Sequence, residues 1–262
     1  MQKILAIAQN TFKEAIRDRI LYGFLFFALV LIVFSLVLGQ LSIGEQVRVT
    51  LDVGLAGISF FSVLMSIFLG ISLLHKEIEK RTIYPVLAKP ISRAAYLIGK
   101  FLGLSATMFV QIALMTLFLI VVLWVQGGSP SFGLLLAIAL SVVEMLLVIA
   151  MALFFTSFSR PFLSGLFCLG IFAAGRNADL ISKLAEVKAL AWLEPVVDGA
   201  TTILPNLYVF YPSGKLVEGS WASVHDQFVS SGYVASAAGY GAAYTAVFLL
   251  LSIVLLWRRD FI

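Results

Sequence analysis

Six long apolar runs, separated by short polar segments, set the pattern of the chain. A helix needs about 20 mostly apolar residues to cross roughly 30 Å of hydrocarbon, and it satisfies its backbone hydrogen bonds internally. The pattern therefore predicts an all-α integral membrane protein with six transmembrane helices. The fifth run is short for a full crossing, so we expect its helix to extend into flanking residues on one side. The six runs are Leu21–Gln40, Leu55–Leu74, Phe101–Val125, Phe132–Phe155, Pro161–Gly175 and Tyr240–Trp257.

The segment before the first span, residues 1–20, has a different pattern. Its apolar residues recur at helical spacing among charged ones, which is typical of an amphipathic helix on a membrane surface. A plain cytosolic extension of the first span is the alternative. The scattered charges argue against a cleavable signal peptide. The apolar positions are Leu5, Ala8, Phe12, Ala15 and Ile16.

A longer polar segment, residues 176–234, precedes the last span. It contains Trp192, Trp221 and several prolines, and it shows no clean strand period. We expect short helices at the membrane interface, with aromatic side chains at headgroup level. The sequence leaves open whether this segment re-enters the membrane.

Composition and charge add an orientation. The chain is 61% hydrophobic and only 12% charged, which excludes an ordinary soluble domain. If the chain crosses the membrane six times, both termini lie on the same side. Thirteen of the eighteen Lys and Arg residues lie in segments on that side. Cytoplasmic loops carry such an excess, so both termini are predicted to be cytoplasmic. The remaining five basic residues are predicted to lie outside: Arg48, Arg176, Lys183, Lys188 and Lys215.

The sequence does not predict an enzyme. Gly99 and Lys100 lack the glycine-rich cradle and the following Ser or Thr of a phosphate-binding loop. Ser164 lacks the glycine context of a nucleophile. Cys168 is alone and the two histidines are far apart, so no disulfide framework or metal site is expected. A net charge of +4 gives no reason to expect a nucleic-acid partner.

The densest charge lies in "HKEIEKRTIYPVLAKPISRAAYLIGK", which holds six of the eighteen basic residues. Thr82 and Ser92 are good N-caps, and Pro85 and Pro90 punctuate the stretch. The pattern predicts helix, break, short helix, break, helix, on the cytoplasmic side. The short helix either rests on the membrane surface or docks into a cytosolic partner. Its apolar residues are Ile83, Tyr84, Val86 and Leu87.

The longer stretch "EIEKRTIYPVLAKPISRAAYLIGKFLG" resembles the cytoplasmic loop of permeases from the second exporter superfamily of ATP-binding-cassette (ABC) transporters, the type V exporter fold. The shared features are an acidic residue before Thr82, a short helix, Pro90 with Ser92 and Arg93, and a Gly-Lys pair opening the third span. Arg81 departs from the family, which commonly has Gly there. A weaker likeness links "LPNLYVFYP" to the nitrous-oxide-reductase maturation permease.

The resemblance implies one permease domain over residues 1–262, in the inner (plasma) membrane of a prokaryote. Segment 76–93 would contain a coupling helix that docks into a separate cytosolic ATPase subunit. That subunit would bind ATP and Mg, so no cofactor is expected in this chain. A second permease copy or a paralogue, together with membrane lipids, would complete the exporter. The docking residues implied are Glu77, Glu79, Thr82, Ile83, Tyr84, Val86, Leu87, Lys89 and Arg93.

Glu144 lies near the middle of the fourth run. A charge at that depth costs about 2.5–3.5 kcal/mol on insertion scales, so the carboxyl is protonated, paired or facing water. Gln111, at similar depth in the third run, is the predicted neutral partner. The pair would either lock two helices together or lie on the transport path or dimer seam. Two other functions remain open: an ion-driven secondary transporter with Glu144 as proton carrier, and a membrane anchor that moves nothing.

Overall fold

The computed structural model describes residues 2–42, 44–79, 92–177, 204–211, 215–217, 220–222 and 230–258. Within them the chain is helical apart from one short antiparallel hairpin, which the sequence pattern did not predict. The α-helices are α1 Gln2–Ile16, α2 Arg19–Leu41, α3 Gln46–Glu79, α4 Arg93–Val125, α5 Phe132–Phe158, α6 Pro161–Arg176 and α7 Ser231–Arg258. A 3₁₀ turn, Leu207–Phe210, and the strands β1 Lys215–Val217 and β2 Ser220–Ala222 lie between α6 and α7 in the chain.

Five of these helices, α2, α3, α4, α5 and α7, are long and apolar enough to cross a membrane. The helix formed by the fifth predicted run is shorter than the other spans. α6 has 16 residues, which is about 24 Å at 1.5 Å per residue, and it gains only Arg176 beyond the predicted run. The expected extension is therefore limited to this one residue on one side, because Pro161 begins the helix and Asn177 caps its end.

Side-chain caps fix where several helices begin. Asp18 accepts a hydrogen bond from the Ile20 N–H at the start of α2. Ser92 does the same for Ala95 at the start of α4, which confirms the predicted N-cap. Each cap satisfies a backbone donor that a helix start leaves without a partner. α4 therefore starts as a regular helix immediately after the predicted docking segment.

α3 lies at the centre of the bundle. In its most apolar window 72% of residues are buried, against 22% for α2 and 17% for α7. The two outer helices instead expose large apolar side chains such as Phe26, Phe27 and Leu250. Such surfaces suit lipid, because hydrocarbon is the solvent for membrane-spanning helices.

The amino-terminal segment forms α1, which packs on the first half of α4. Gly99 and Gly103 form a small-residue stripe that permits close approach. A Cβ atom added at Gly103 would lie 2.6 Å from the Ala8 carbonyl oxygen. Lys100, between the two glycines, is 1% exposed. Its Nζ lies 3.8 Å from a carboxylate oxygen of Glu14.

Two further contacts bring other helix ends to the same side of the bundle. Lys76, near the end of α3, donates to Asp18 before α2, with Nζ and Oδ2 2.9 Å apart. Arg93, the first residue of α4, donates to the carbonyl oxygens of Leu256 and Trp257 near the end of α7. One side of the bundle therefore contains the starts of α2 and α4 and the ends of α3 and α7.

Candidate functional site

A buried polar cluster joins α3, α5 and α6. Glu144 is 0% exposed, and its Oε1 lies 2.6 Å from Nη1 of Arg176. Its other oxygen accepts a hydrogen bond of 2.7 Å from the Ser59 hydroxyl. Arg176 Nη1 also donates to Ser59 Oγ at 2.9 Å. Each of the three side chains therefore contacts the other two.

The predicted pairing of Glu144 with Gln111 is wrong. Both carboxylate oxygens are occupied by Ser59 and Arg176. Gln111 is 2% exposed on α4, and its amide nitrogen faces the Met115 sulfur, 3.9 Å away. Its amide oxygen is buried without a hydrogen-bond partner. Similar depth in two neighbouring spans did not determine which groups face each other.

The length of α6 explains how Arg176 reaches Glu144. The two helices are antiparallel and meet at the turn formed by Ser159 and Arg160. Glu144 precedes that turn, and Arg176 follows it, by nearly equal numbers of residues, which place both about 21–23 Å from it. Arg176, which was counted with the outer segment, is the last residue of α6, and its side chain is only 15% exposed and is paired within the bundle.

The 204–211 segment covers the end of α6. The Arg176 guanidinium carbon lies 4.4 Å from the centre of the Tyr211 ring, a cation–π distance. Leu207 and Phe210 are fully buried. Gly175 permits this contact, because an added Cβ would lie 2.5 Å from the Pro205 carbonyl oxygen.

Hydrogen bonds fasten the same segment to α7. The Tyr233 hydroxyl donates to the Val209 carbonyl oxygen at 2.6 Å, and the Asn206 N–H donates to the Tyr240 hydroxyl at 2.8 Å. Phe210 also packs beside Gly241, where an added Cβ would lie 3.1 Å from its ring. The segment therefore links α6 and α7 directly above the ion pair.

Chemically, this cluster holds helices in place. Removing one partner of a buried ion pair leaves an uncompensated charge, which costs about 3–5 kcal/mol. The carboxylate has no free oxygen, so the geometry is that of a fixed three-helix junction. The sequence analysis missed Arg176 and Ser59. One signal could have identified Arg176: it is a cation at the end of a run too short to cross the bilayer.

An apolar groove of about 550 Å³ runs between α3 and α6. Phe68 and Ile71 line one wall, and Phe162 and Leu166 the other, with His75 at one end. A groove of this size between two membrane helices suits an apolar chain rather than a polar ligand.

Most of the predicted docking residues lie outside the described part of the chain. These are Thr82, Ile83, Tyr84, Val86, Leu87 and Lys89. Glu77 and Glu79 fall in the last turn of α3. Arg93 is described, and its guanidinium binds the end of α7. Arg93 therefore has a structural role that the sequence did not predict.

The described residues contain no group of three or more His, Cys, Asp or Glu side chains that could hold a metal ion. Ser164 and Cys168 are both fully buried in α6. Lys100 lies inside α4, beside Glu14. This position is unlike that of a phosphate-binding lysine, which follows a glycine-rich loop.

One comparison with known proteins identifies a relationship. The family described as "ABC-2 family transporter protein" matches residues 5–261, nearly the whole chain. No curated protein matches the chain significantly. The narrower likeness to the nitrous-oxide-reductase maturation permease is therefore not supported.

Proposed function

Because the chain belongs to the ABC-2 transporter family, and is thus the membrane permease subunit of an ABC transporter, we propose that it couples ATP hydrolysis by a separate cytosolic ATPase subunit to substrate export. The family match over residues 5–261 is the observation that carries this proposal. The Gly99–Lys100 pair lies in the interface between α1 and α4. In this proposal the partner subunit binds ATP and Mg.

The ends of α3 and α4 support segment 76–93 as the coupling element. The segment joins the central helix to a helix that contacts both α1 and α7. Lys100 and Arg93 make two of these contacts, to Glu14 and to the end of α7. A force applied by an ATPase at this segment would therefore act on several helices together, as a coupling element requires.

The arrangement of helix ends supports six crossings. α5 ends on the side where α4 begins, because two crossings separate those points. The Arg93 contact places the end of α7 on that same side. α7 must therefore begin on the other side, and residues 159–230 must cross between them. We propose that α6 and the 204–211 segment make this crossing, with both termini in the cytoplasm.

The described contacts of Glu144 do not favour the alternative of an ion-driven secondary transporter. A proton carrier needs a carboxylate that gains and loses a proton along the transport path. Both oxygens of Glu144 are instead bonded, one to Arg176 and one to Ser59. A permease that exports its substrate between two copies of this chain, or laterally from the bilayer, remains our proposal.

The proposal is tested by purifying the tagged chain in mild detergent and sequencing the proteins that co-purify. An ABC ATPase is expected to co-purify with the wild type. Val86→Asp and Leu87→Glu should reduce its yield, because a charge would enter the docking surface, while leaving membrane insertion unchanged. Ser129→Asp is the matched control: it adds the same charge in the exposed turn at the opposite end of α4. An unchanged ATPase yield in both docking variants would refute the docking assignment.

A further inference from the structure

A charged cleft of about 620 Å³ lies where α1, the start of α2 and the end of α3 meet. It differs from the apolar groove because charged side chains form most of its wall. Four are basic and two are acidic, which leaves an excess of positive charge. These six residues are Lys13, Glu14, Arg17, Asp18, Arg19 and Lys76.

The two carboxylates in the cleft already have basic partners. Asp18 binds Lys76 at 2.9 Å, and Glu14 lies 3.8 Å from the buried Lys100. Lys13, Arg17 and Arg19 are exposed. Within the described ranges none of these three has an ion-pair partner. The cleft therefore presents three uncompensated cations.

The cleft lies at the boundary between charged and lipid-facing surface. Directly after Arg19, helix α2 exposes Ile20 and Tyr22 and then Phe26, which is 63% exposed. On α3, the exposed Phe68 lies two turns before Lys76. Exposed aromatic and apolar side chains on a spanning helix face hydrocarbon, so the adjoining cations lie at the depth of lipid headgroups.

We propose that this cleft binds the phosphate-bearing headgroup of an anionic phospholipid, whose acyl chains lie along the exposed face of α2. Two arginines suit this ligand, because the planar guanidinium donates paired hydrogen bonds to phosphate oxygens. The bound lipid would bridge α1, α2 and α3. This site is independent of the export proposal, since it requires only that the helices lie in a membrane. The proposed orientation would place it in the cytoplasmic leaflet.

Native mass spectrometry of the purified full chain tests the proposal. Dioleoyl phosphatidylglycerol and dioleoyl phosphatidylcholine are titrated separately, and the bound fraction gives an apparent affinity for each. Wild type should prefer phosphatidylglycerol by more than tenfold, since each cation near the headgroup adds roughly fivefold. Arg17→Gln with Arg19→Gln should abolish most of this preference. Lys13→Gln alone, a milder variant, should lower it by roughly fivefold.

The matched control removes two arginines elsewhere, with Arg48→Gln and Arg160→Gln, and should keep the preference. Added inorganic phosphate at equal concentration should not displace the lipid, because it lacks acyl chains. Equal affinity for both lipids in the wild type would overturn the proposal. The proposal would also be overturned if the double variant and Lys13→Gln both kept the preference for phosphatidylglycerol. Loss of the same preference in the control variant would overturn it as well. Displacement by inorganic phosphate would show that a free anion, not a lipid, is the ligand.

Discussion

Among individual residues, Glu144 and Arg176 form an ion pair buried inside the described helices. Both are largely buried, and Ser59 completes the junction among three helices. A lone charge in this environment would be far less stable than the pair. The pair is therefore expected to behave as a unit, in which either partner depends on the other.

Glu144→Leu and Arg176→Leu should each lower the free energy of unfolding by about 3–5 kcal/mol, because each leaves one buried charge uncompensated. The double variant should be more stable than either single variant. Glu144→Gln should also destabilise the protein, since an amide does not neutralise Arg176. Thermal unfolding in detergent measures all four proteins.

Gln111→Leu is the control for this series. It removes a buried amide whose oxygen has no hydrogen-bond partner, so little stability should be lost. If the double variant loses as much stability as the two single variants added together, the two residues act independently. The ion pair then contributes nothing, and the junction is refuted.

Asp18 gives a prediction that depends on pH. Burial alone would raise the pKa of this carboxyl, but the hydrogen bond from Lys76, the Ile20 N–H and the charge of Lys76 together lower it. A lowered pKa in the folded state means that the ionised carboxylate stabilises the protein above its unfolded pKa of about 3.9. That contribution is lost as pH falls through the lowered folded value.

Asp18→Asn should therefore destabilise the protein at pH 7 by less than about 1 kcal/mol, because the pair is partly exposed. At pH values well below 4 the variant and the wild type should unfold at the same temperature. Asparagine also caps helices, so the comparison isolates the charge. An identical difference in unfolding temperature at both pH values would show that the Asp18 charge is not responsible.

At the level of the helices, the contact between α1 and α4 depends on the absence of side chains at Gly99 and Gly103. Gly103→Leu should separate the helices, because an added Cβ meets the Ala8 backbone and Thr11 at 2.6 Å. We expect a loss of about 1–3 kcal/mol, typical of overpacking, and faster proteolysis of α1. Limited proteolysis and thermal unfolding measure both effects.

Gly170→Leu is the matched control, because no atom lies within 4 Å of an added Cβ at that helical position. This variant should unfold like the wild type. If Gly103→Leu behaves the same way, α1 does not dock on α4 as described.

The sequence pattern predicted some helices well and others poorly. The run Phe132–Phe155 became α5, only three residues longer, because its apolar residues are continuous. The last span began nine residues earlier than predicted, at Ser231, since its first turns are rich in Ser, Gly and Ala. Small residues carry little hydropathy although they pack well between helices.

The polar junction could be predicted only in part. The depth of Glu144 showed that its carboxyl needed a partner, but periodicity does not determine how helices rotate against each other. Arg176 follows Glu144 by 32 residues, and its depth depends on where α6 ends. The strands β1 and β2 were not predicted, because three residues each are too few for an alternating pattern.

For the molecule as a whole, the proposed topology places Arg160 in the cytoplasm and Lys215 outside. Arg160→Cys and Lys215→Cys, each in a Cys168→Ala background, place one reactive thiol on either side of the α6 crossing. An impermeant maleimide added to intact cells should label the Lys215→Cys variant and not the Arg160→Cys variant. Labelling both after permeabilisation controls for reactivity. If both positions react equally in intact cells, residues 159–230 do not cross the membrane.

The proposed permease function predicts a defined subunit composition. The intact mass of the complex purified through a tag on this chain, in mild detergent, reports every subunit at once. We predict two copies of the 28.6 kDa chain, or one copy with a paralogue, together with two copies of an ABC ATPase. A mass that accounts for this chain alone, or for a complex without a nucleotide-hydrolysing subunit, would contradict the account.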